Sequence, residues 1–353
     1  MLSSIQQQMM DLPELYRQMM RARAYELAVE DLWTTGLISG EMHLGTGEEA
    51  VAAGAVTHLK EGDGLALTHR CSPAMVVRGV PLAAMLSELL GSENGLCKGR
   101  GGHMHLFSKE HLAATSGIVG ASLPTAAGFA LANRRLRQGA IAVAFTGTGA
   151  MNQGMALETL NLAVAWDLPL VIVCIDNGWA ITTTSEAVTG GDLVERAAGF
   201  GMRAESVNGR DVRAVHKIAG KLIDRARRGK GPSFLLANCP RLDGHILGDA
   251  LIRMAKKPIA EGKDTFRRVI ASAMSRGGGG LTDRAAGVTR MMSVMAKARR
   301  GPTRERRGDP VIAARKAMKK REAERDRIDA EVAAEIEQAV AYALGDIGHV
   351  DDA

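Results

Sequence analysis

Two short stretches near the middle of the sequence combine residue types that suit phosphate and metal chemistry. The first, "AFTGTGAMNQG" (Ala144 to Gly154), ends an apolar run in a turn that carries Gly147 and Gly149. Such glycines let backbone N–H groups approach a phosphate, and a following helix adds its positive N-terminus. Between them lies Thr148, whose neutral hydroxyl is a weaker partner for a divalent cation than a carboxylate. The stretch predicts a phosphate cradle, with a ligand-free structural turn as the alternative.

The second stretch, "VIVCIDNGWAITT", ends an apolar run in a polar turn. Asn177 offers a carbonyl oxygen and the turn backbone offers more, which suits Mg²⁺ bound to a diphosphate. Asp176 adds a carboxylate next to it, although neighbouring residues at a strand end normally point opposite ways. In open parallel sheets, ligands bind beyond the carboxyl ends of the strands, so we expect both stretches to face one crevice. Taken alone, an Asn-Gly pair is usually only a turn.

These stretches must be positioned by strands that alternate with helices. Helical spacing of apolar residues predicts helices, and short apolar runs predict buried strands. The alternation predicts an α/β fold, a central parallel sheet flanked by helices on both faces. The predicted helices are Leu12 to Thr35, one after "HLGTG" with Glu48 and Glu49 in its first turn, "SLPTAAGFALANRRLRQ", and Asn152 to Trp166. The predicted strands are "EGDGLALTHR", Ala140 to Gly147, Leu168 to Asp176 and Gly231 to Cys239.

Composition narrows the class of protein. The chain has 353 residues, 46% hydrophobic and 24% charged, which predicts a globular protein with a sizeable core. The net charge of +6 comes mainly from the segment between Arg253 and Arg327, so we expect no nucleic-acid partner. No apolar run reaches the roughly 18 residues of a membrane span, and the N-terminus lacks signal features. We therefore expect a cytoplasmic protein without a membrane partner, with reduced and scattered cysteines at Cys71, Cys97, Cys174 and Cys239.

The chain divides into three parts by composition. Residues 1–249 carry the alternating elements and form the expected cofactor domain. Residues 250–308 are basic and glycine-rich, which predicts an excursion that is partly disordered. Residues 309–353 predict a charge-laced helical segment, as one long helix or two shorter ones, packing on the same domain.

The segment from "GTGAMNQG" to "CIDNGW" resembles the thiamin diphosphate motif, which opens Gly-Asp-Gly and closes with Asn-Asn. More widely, the chain resembles the alpha subunits of the thiamin diphosphate-dependent 2-oxo acid dehydrogenases, and among them the acetoin dehydrogenase group. A Rossmann nucleotide site fits less well, because Asn152 occupies the third glycine position of its fingerprint. The further matching segments are "HLGTGEEAVAAGAV", "THRCSPAMVVRG", "CKGRGGHMHLF", "SGIVGASLPTAAGFALA", "RAAGFGM" and "PRLDGHILGD".

The resemblance implies a thiamin diphosphate-binding fold and assigns roles to particular residues. His245 would act as the catalytic proton donor or acceptor and would also contact the cofactor. The other cofactor-binding residues would be Arg70, Gly117, Val119, Gly147, Gly149, Ala150, Asn177 and Arg241. The Mg²⁺ ligands would be Asn177, the backbone carbonyl of Trp179 and, in place of the family's acidic residue, Thr148. As isolated residues, Arg70 and His245 would carry no such meaning.

The resemblance also implies partners and a reaction. The alpha subunit would cleave acetoin or decarboxylate a 2-oxo acid such as pyruvate, and would pass the acyl fragment to a lipoyl acceptor on a dihydrolipoyl acyltransferase. A beta subunit would complete the active site in an alpha2beta2 heterotetramer. Two alternatives remain open. One is a catalytically degenerate scaffold or regulatory subunit, motivated by Thr148 and by "CSPA", which lacks the histidine-containing stretch usual after the family's arginine. The other is a thiamin-dependent lyase or transferase with a different acceptor, motivated by the long segment from Arg253 to Gly308.

Overall fold

The structure, a computed structural model, describes residues 10–248 and 308–348, together with the single residues 280 and 289. The predicted basic excursion at 250–308 therefore lies outside the described residues, apart from 280, 289 and 308. Within the described residues, no helix combines the length and the apolarity that crossing a bilayer requires.

A seven-stranded sheet forms the centre of the molecule, with the strand order β2-β3-β1-β4-β5-β9-β8. Its neighbouring strands pair in parallel, except that β2 runs antiparallel to β3 at one edge. A separate two-stranded hairpin, β6-β7, follows β5. The strands are β1 Gly64–Thr68, β2 Phe107–Ser108, β3 Ala113–Ser116, β4 Ala142–Gly147, β5 Leu170–Asp176, β6 Trp179–Ala180, β7 Thr183–Thr184, β8 Arg203–Asn208 and β9 Ser233–Asn238.

Helices cover both faces of this sheet, which confirms the predicted α/β class. In the described ranges the helices are α1 Leu12–Thr34, α2 Glu49–Val56, α3 Ser72–Arg78, α4 Leu82–Leu89, α5 Ser122–Leu136, α6 Gly154–Ala165, α7 Ser185–Val188, α8 Leu193–Gly199, α9 Val212–Arg227, α10 Pro310–Ala317 and α11 Glu322–Gly348. Two 3-10 helices, Thr148–Asn152 and Lys319–Arg321, lie between them.

Alternation along the strands divides the apolar core into two layers. Val143 and Phe145 of β4 belong to the core under α1, α2 and α9, whereas Ala142 and Ala144 face the core under α5 and α6. Successive residues of a strand point to opposite faces, so one apolar run serves both layers. The alanines on the second face let α5 pack closely on β4 and β1.

A buried ion cluster joins distant parts of the chain on the first face. The Arg23 guanidinium of α1 contacts the Glu49 carboxylate of α2 at 2.5 Å and the Asp309 carboxylate at 2.9 Å. Asp309 also caps α10, because its Oδ1 accepts from the backbone N–H groups of Val311 and Ile312. The cluster fixes the start of the C-terminal helices against α1 and α2.

The division of the chain into three parts stays a prediction.

Two details of the sequence prediction were wrong. The helix expected from Asn152 begins only at Gly154, because Thr148–Asn152 form a 3-10 helix and Gln153 is extended. The positive end of α6 therefore does not follow the glycine turn directly. In addition, β2, β3 and β8 of the central sheet were not predicted, since "FS", "AATS" and "RAESVN" contain no apolar run of strand length; β8 lies at the sheet edge beside β9.

Candidate functional site

The parallel strands β3, β1, β4, β5 and β9 end at one edge of the sheet, and the loops that leave them carry every site residue predicted from sequence. Parallel strands bring their carboxyl ends together, which is where ligands bind in open α/β sheets. The residues are Arg70 after β1, Gly117 and Val119 after β3, Gly147, Thr148, Gly149 and Ala150 at the end of β4 and beyond, Asn177 and Trp179 after β5, and Arg241 and His245 after β9. We call this edge the carboxyl edge.

The glycine turn after β4 has a backbone that only a small residue permits. Gly149 lies beneath the β6-β7 hairpin, and a Cβ added to it would lie 2.9 Å from the Cβ of Ala180. Real Cβ atoms essentially never approach that closely, so any larger residue must displace the hairpin. The glycine between Thr148 and Ala150 therefore lets the turn pass close beneath the hairpin.

Thr148 is buried and its hydroxyl belongs to a three-residue network. The Thr148 Oγ1 lies 2.9 Å from the Ser185 Oγ, which in turn donates to the Asp176 Oδ1 at 3.0 Å. The same carboxylate oxygen accepts from the backbone N–H of Gly178 at 2.9 Å. Because Ser185 donates its only proton to Asp176, the Thr148 hydroxyl donates to Ser185. The network links the residue between the two glycines to a carboxylate.

Asn177 is fixed on the opposite side of the β5 end. Its Nδ2 donates to the Glu48 Oε1 at 3.0 Å, and its Oδ1 accepts from the Trp179 backbone N–H at 3.2 Å. Glu48 is buried, and burial raises the pKa of its carboxyl to about 7. The contact orients the Asn177 amide so that its oxygen faces the turn that carries the Trp179 backbone.

Arg70 and His245 meet at the carboxyl edge. The Arg70 Nη1 donates to the Leu44 carbonyl at 2.7 Å, and its Nη2 donates to the His245 carbonyl at 2.8 Å. Nη2 also lies 3.1 Å from the His245 Nδ1. A guanidinium can only donate, so Nδ1 accepts and a neutral His245 ring carries its proton on Nε2. The contact thus sets the tautomer of the predicted catalytic histidine.

Three further histidines surround this pair. The His43 Nδ1 lies 2.8 Å from the His103 Nε2, and the His43 ring centroid lies 4.4 Å from that of His69 and 4.7 Å from that of His245. Burial lowers the pKa of His43 to about 2 and that of His69 and His103 to about 4, with Arg70 adding repulsion in each case. These imidazoles are neutral at physiological pH and bring no positive charge to the site.

Beneath the histidines lies a buried carboxyl. Glu26 of α1 accepts from the Gly45 backbone N–H at 2.8 Å and from the Ser72 hydroxyl. It lines a small internal cavity together with His43, His69 and other residues. Burial raises the pKa of Glu26 to about 8. Ser72 comes from "CSPA", the segment that departs from the family's pattern, so this departure has a defined structural partner.

The loop after β9 is tied to the loop before α2. The Thr46 hydroxyl donates to the Asp243 Oδ2. Gly47 has a φ of +100°, and a Cβ there would lie 2.3 Å from the Pro240 carbonyl oxygen. Both the backbone angle and the close approach exclude other residues, which holds the segment of His245 in place.

Arg241 lies over the β6-β7 hairpin. Its guanidinium lies 5.5 Å from the centre of the Trp179 ring, and its Nη1 donates to the Ile181 carbonyl at 3.0 Å. Gly117 lies against another loop, since an added Cβ would be 2.9 Å from the Met104 Sδ. Val119 is exposed. The structure thus joins Arg70 to His245 and Arg241 to Trp179, and it places Gly117 against Met104.

Sequence reasoning missed several residues of this edge. Glu48 was noted only for the first turn of a helix, and Glu26, Ser185, His43 and His103 were not singled out. The sequence held a signal for some of them, since the segments "HLGTGEE" and "GGHMH" matched the family. Ser185 lies in no such segment, and only the hairpin turn brings it back to Thr148.

A mostly parallel sheet with helices on both faces, and a glycine turn, an arginine and a histidine at its carboxyl edge, places the chain in the class of open α/β proteins, which bind ligands at that edge. Within that class, the chain belongs to the dehydrogenase E1 component family, whose model matches residues 17–265. This assignment agrees with the resemblance that the motifs indicated.

Relatives within the family are E1-type alpha subunits. The chain is 43% identical over 239 residues to the alpha subunit of acetoin:2,6-dichlorophenolindophenol oxidoreductase from Cupriavidus necator, covering 67% of this chain and 72% of the relative. The corresponding subunit from Bacillus subtilis is 39% identical over 238 residues, again with 67% and 72% coverage. The pyruvate dehydrogenase E1 component subunit alpha from Rhizobium meliloti is 39% identical over 236 residues, covering 66% and 68%.

Proposed function

We propose that this chain is the alpha subunit of a thiamin diphosphate-dependent dehydrogenase that cleaves acetoin or decarboxylates a 2-oxo acid such as pyruvate. The observation that carries the proposal is the assembly of Arg70, His245 and the glycine turn at one carboxyl edge, in a chain of the E1 family. Acetoin is the first substrate to test, because the alpha subunit of acetoin:2,6-dichlorophenolindophenol oxidoreductase from Cupriavidus necator shares 43% identity with the chain.

The residues of the edge suit a diphosphate. The residues after β4 form the 3-10 helix Thr148–Asn152, and the first N–H groups of such a helix have no partner within it, which suits an anion. Arg70 is buried at the same edge, and its guanidinium, which already donates to the Leu44 and His245 carbonyls, would add a fixed positive charge for the phosphate oxygens. Together they would hold the diphosphate of the cofactor.

The donor set also suits a hard cation such as Mg²⁺, which prefers oxygen ligands. The Asn177 side-chain oxygen, the Trp179 carbonyl and the Thr148 hydroxyl are all oxygen donors on adjacent turns. These residues would hold the cation beside the diphosphate. A metal that prefers nitrogen or sulfur ligands fits less well, since the described residues contain no group of three or more His, Cys, Asp or Glu side chains able to hold a metal ion.

When bound, thiamin diphosphate supplies the carbon nucleophile and the electron sink that the reaction needs. The protein's part is to position groups and move protons. His245 would give or take a proton at the reacting oxygen through Nε2, because Arg70 holds its Nδ1 as an acceptor. The neutral histidines around it would line the substrate entrance without adding charge.

The site requires a second chain in this proposal. Ile118 and Val119 expose 61% and 49% of their surface directly after β3, and Ile181 exposes 57% beside the glycine turn. These apolar side chains are accessible to a second chain. A beta subunit would cover them in an alpha2beta2 heterotetramer, and a dihydrolipoyl acyltransferase would receive the acyl fragment. The cysteines are unpaired, which agrees with a cytoplasmic assembly.

The test is an activity assay on the full chain co-purified with a beta subunit. Thiamin diphosphate, Mg²⁺ and the dye 2,6-dichlorophenolindophenol are supplied, and dye reduction is followed with acetoin or with pyruvate. His245→Asn should reduce the rate by about 100-fold or more, as expected for a general acid or base. His111→Asn, a histidine outside the carboxyl edge, is the matched control. If neither substrate supports dye reduction by the wild-type assembly, the proposal fails.

A further inference from the structure

Thr148, which lies between Gly147 and Gly149, is a neighbour of the carboxyl end of β5. Gly147 pairs with Ile175 in the β4-β5 register, so Thr148 and Asp176 leave adjacent strands side by side. The side chain of Asp176 turns toward Thr148, since Ser185 bridges the two with contacts of 2.9 and 3.0 Å. Asn177, one residue later, turns away to Glu48. Strand alternation accounts for these opposite directions.

The charge at this point matters for any cation bound to a diphosphate. The affinity of an oxygen-ligand site for a hard cation depends on the number of charged ligands that it offers. Thr148, Asn177 and the Trp179 carbonyl are all neutral. Two other carboxylates of the carboxyl edge have hydrogen-bond partners of their own, Glu48 the Asn177 amide nitrogen and Asp243 the Thr46 hydroxyl.

We propose that Asp176, linked to Thr148 through the Ser185 hydroxyl, supplies the negative charge of the cation site. The inference rests on the proposed function, because it concerns the cation of the same cofactor. In this arrangement the negative charge lies at the end of β5, one strand away from residue 148, where the family has its acidic ligand. Hydrogen bonds through Ser185 connect this charge to Thr148 in the glycine turn. The substitution at residue 148 then leaves the site competent rather than inactive.

The decisive variant is Asp176→Asn, which keeps the shape of the side chain and removes only the charge. The new amide oxygen still accepts from the Gly178 N–H and from Ser185, so the turn should keep its fold. The probe is thiamin diphosphate titrated calorimetrically into the full chain with its beta subunit, at a series of Mg²⁺ concentrations. Mn²⁺ in place of Mg²⁺ gives a second readout, because its electron spin resonance signal distinguishes free from bound ion. The control is Asp167→Asn, which removes the charge of an exposed carboxylate at a residue with φ +46° and so tests the loss of one negative charge by itself.

We expect Asp176→Asn to weaken Mg²⁺-dependent binding at least about tenfold, with Asp167→Asn unchanged. Ser185→Ala should weaken binding less, since the charge remains. Thr148→Asp should restore binding in the Asp176→Asn background, because it returns a carboxylate to the glycine turn. Wild-type binding that is unaltered by Asp176→Asn overturns the inference and leaves the proposed function standing. A wild-type assembly that binds no thiamin diphosphate overturns both.

Discussion

Glu88 should be one of the most costly single residues to change outside the carboxyl edge. It is 1% exposed at the end of α4, and its carboxylate accepts from four backbone N–H groups of the loop that leads to His103. Oε2 accepts from Cys97 and Gly99 at 2.6 and 2.9 Å, and Oε1 accepts from Gly101 and Gly102 at 2.6 and 3.2 Å. This loop has no regular secondary structure, so the carboxylate replaces the strand or helix partners that these groups lack.

The magnitude for Glu88→Gln follows from that geometry. The glutamine oxygen can still accept two of the four N–H groups, but its NH₂ group faces the other two as donor against donor. A hydrogen bond to a charged group contributes about 1.5–3 kcal/mol net, so losing two of them costs about 3–6 kcal/mol in the free energy of unfolding. The loop should also loosen, and with it the His103 side chain that contacts His43.

The assay is denaturant unfolding of the full chain, combined with amide hydrogen exchange at Cys97, Gly99 and Gly101. We expect a lower unfolding midpoint and faster exchange at these amides in Glu88→Gln. Glu93→Gln is the matched control, since Glu93 is exposed in the same region. A destabilisation below about 1 kcal/mol, the size of an ordinary surface effect, would refute the reasoning because the four contacts would then be of little consequence.

Two further predictions concern the carboxyl edge and the pH dependence of stability. Gly149→Ala should weaken thiamin diphosphate binding at least about tenfold, because the added Cβ displaces Ala180 and the hairpin. Gly154→Ala, which has open space around it, should bind normally, and calorimetry compares the two. Burial raises the pKa of Glu26 to about 8, so the folded protein holds a proton that the unfolded chain has released. The free energy of unfolding should therefore fall as pH rises from 5 to 8. In denaturant titrations at a series of pH values, Glu26→Gln should lack the part of this fall that Glu26 causes. Identical pH profiles for the wild type and Glu26→Gln would contradict this prediction.

The core of the fold was accessible from the sequence because its central elements are strongly patterned. The β4 and β5 strands are uninterrupted apolar runs, and such runs are typical of strands buried on both faces. The periodicity of α1 likewise set its limits within a residue. The edge strand β8 was missed because its burial is partial and its sequence is polar. Edge elements depend on tertiary pairing, which a local pattern does not record.

The candidate site was accessible to a lesser degree. Motifs indicated the glycine turn, Arg70 and Asn177, and the structure gathers their loops at one edge; their roles toward a cofactor stay predictions. The contact between His43 and His103 spans 60 residues of sequence. Both residues lie in segments that matched the family, but no local pattern indicates that these two segments meet, so only the arrangement of loops reveals their contact. The same holds for Ser185, which reaches Thr148 only because the hairpin folds back.

Glu48 explains why two motifs that are far apart in sequence act on one turn. Its carboxylate fixes the Asn177 amide across 129 residues of sequence, at 3.0 Å. An asparagine at a strand end would otherwise be free to present either its nitrogen or its oxygen. Because Glu48 accepts only from the nitrogen, the oxygen is committed to the Trp179 turn before any cation arrives. A site whose ligands are already oriented spends less of its binding energy on ordering them. This preorganisation gives the segment before α2 a role at the carboxyl edge although it follows no strand of the sheet.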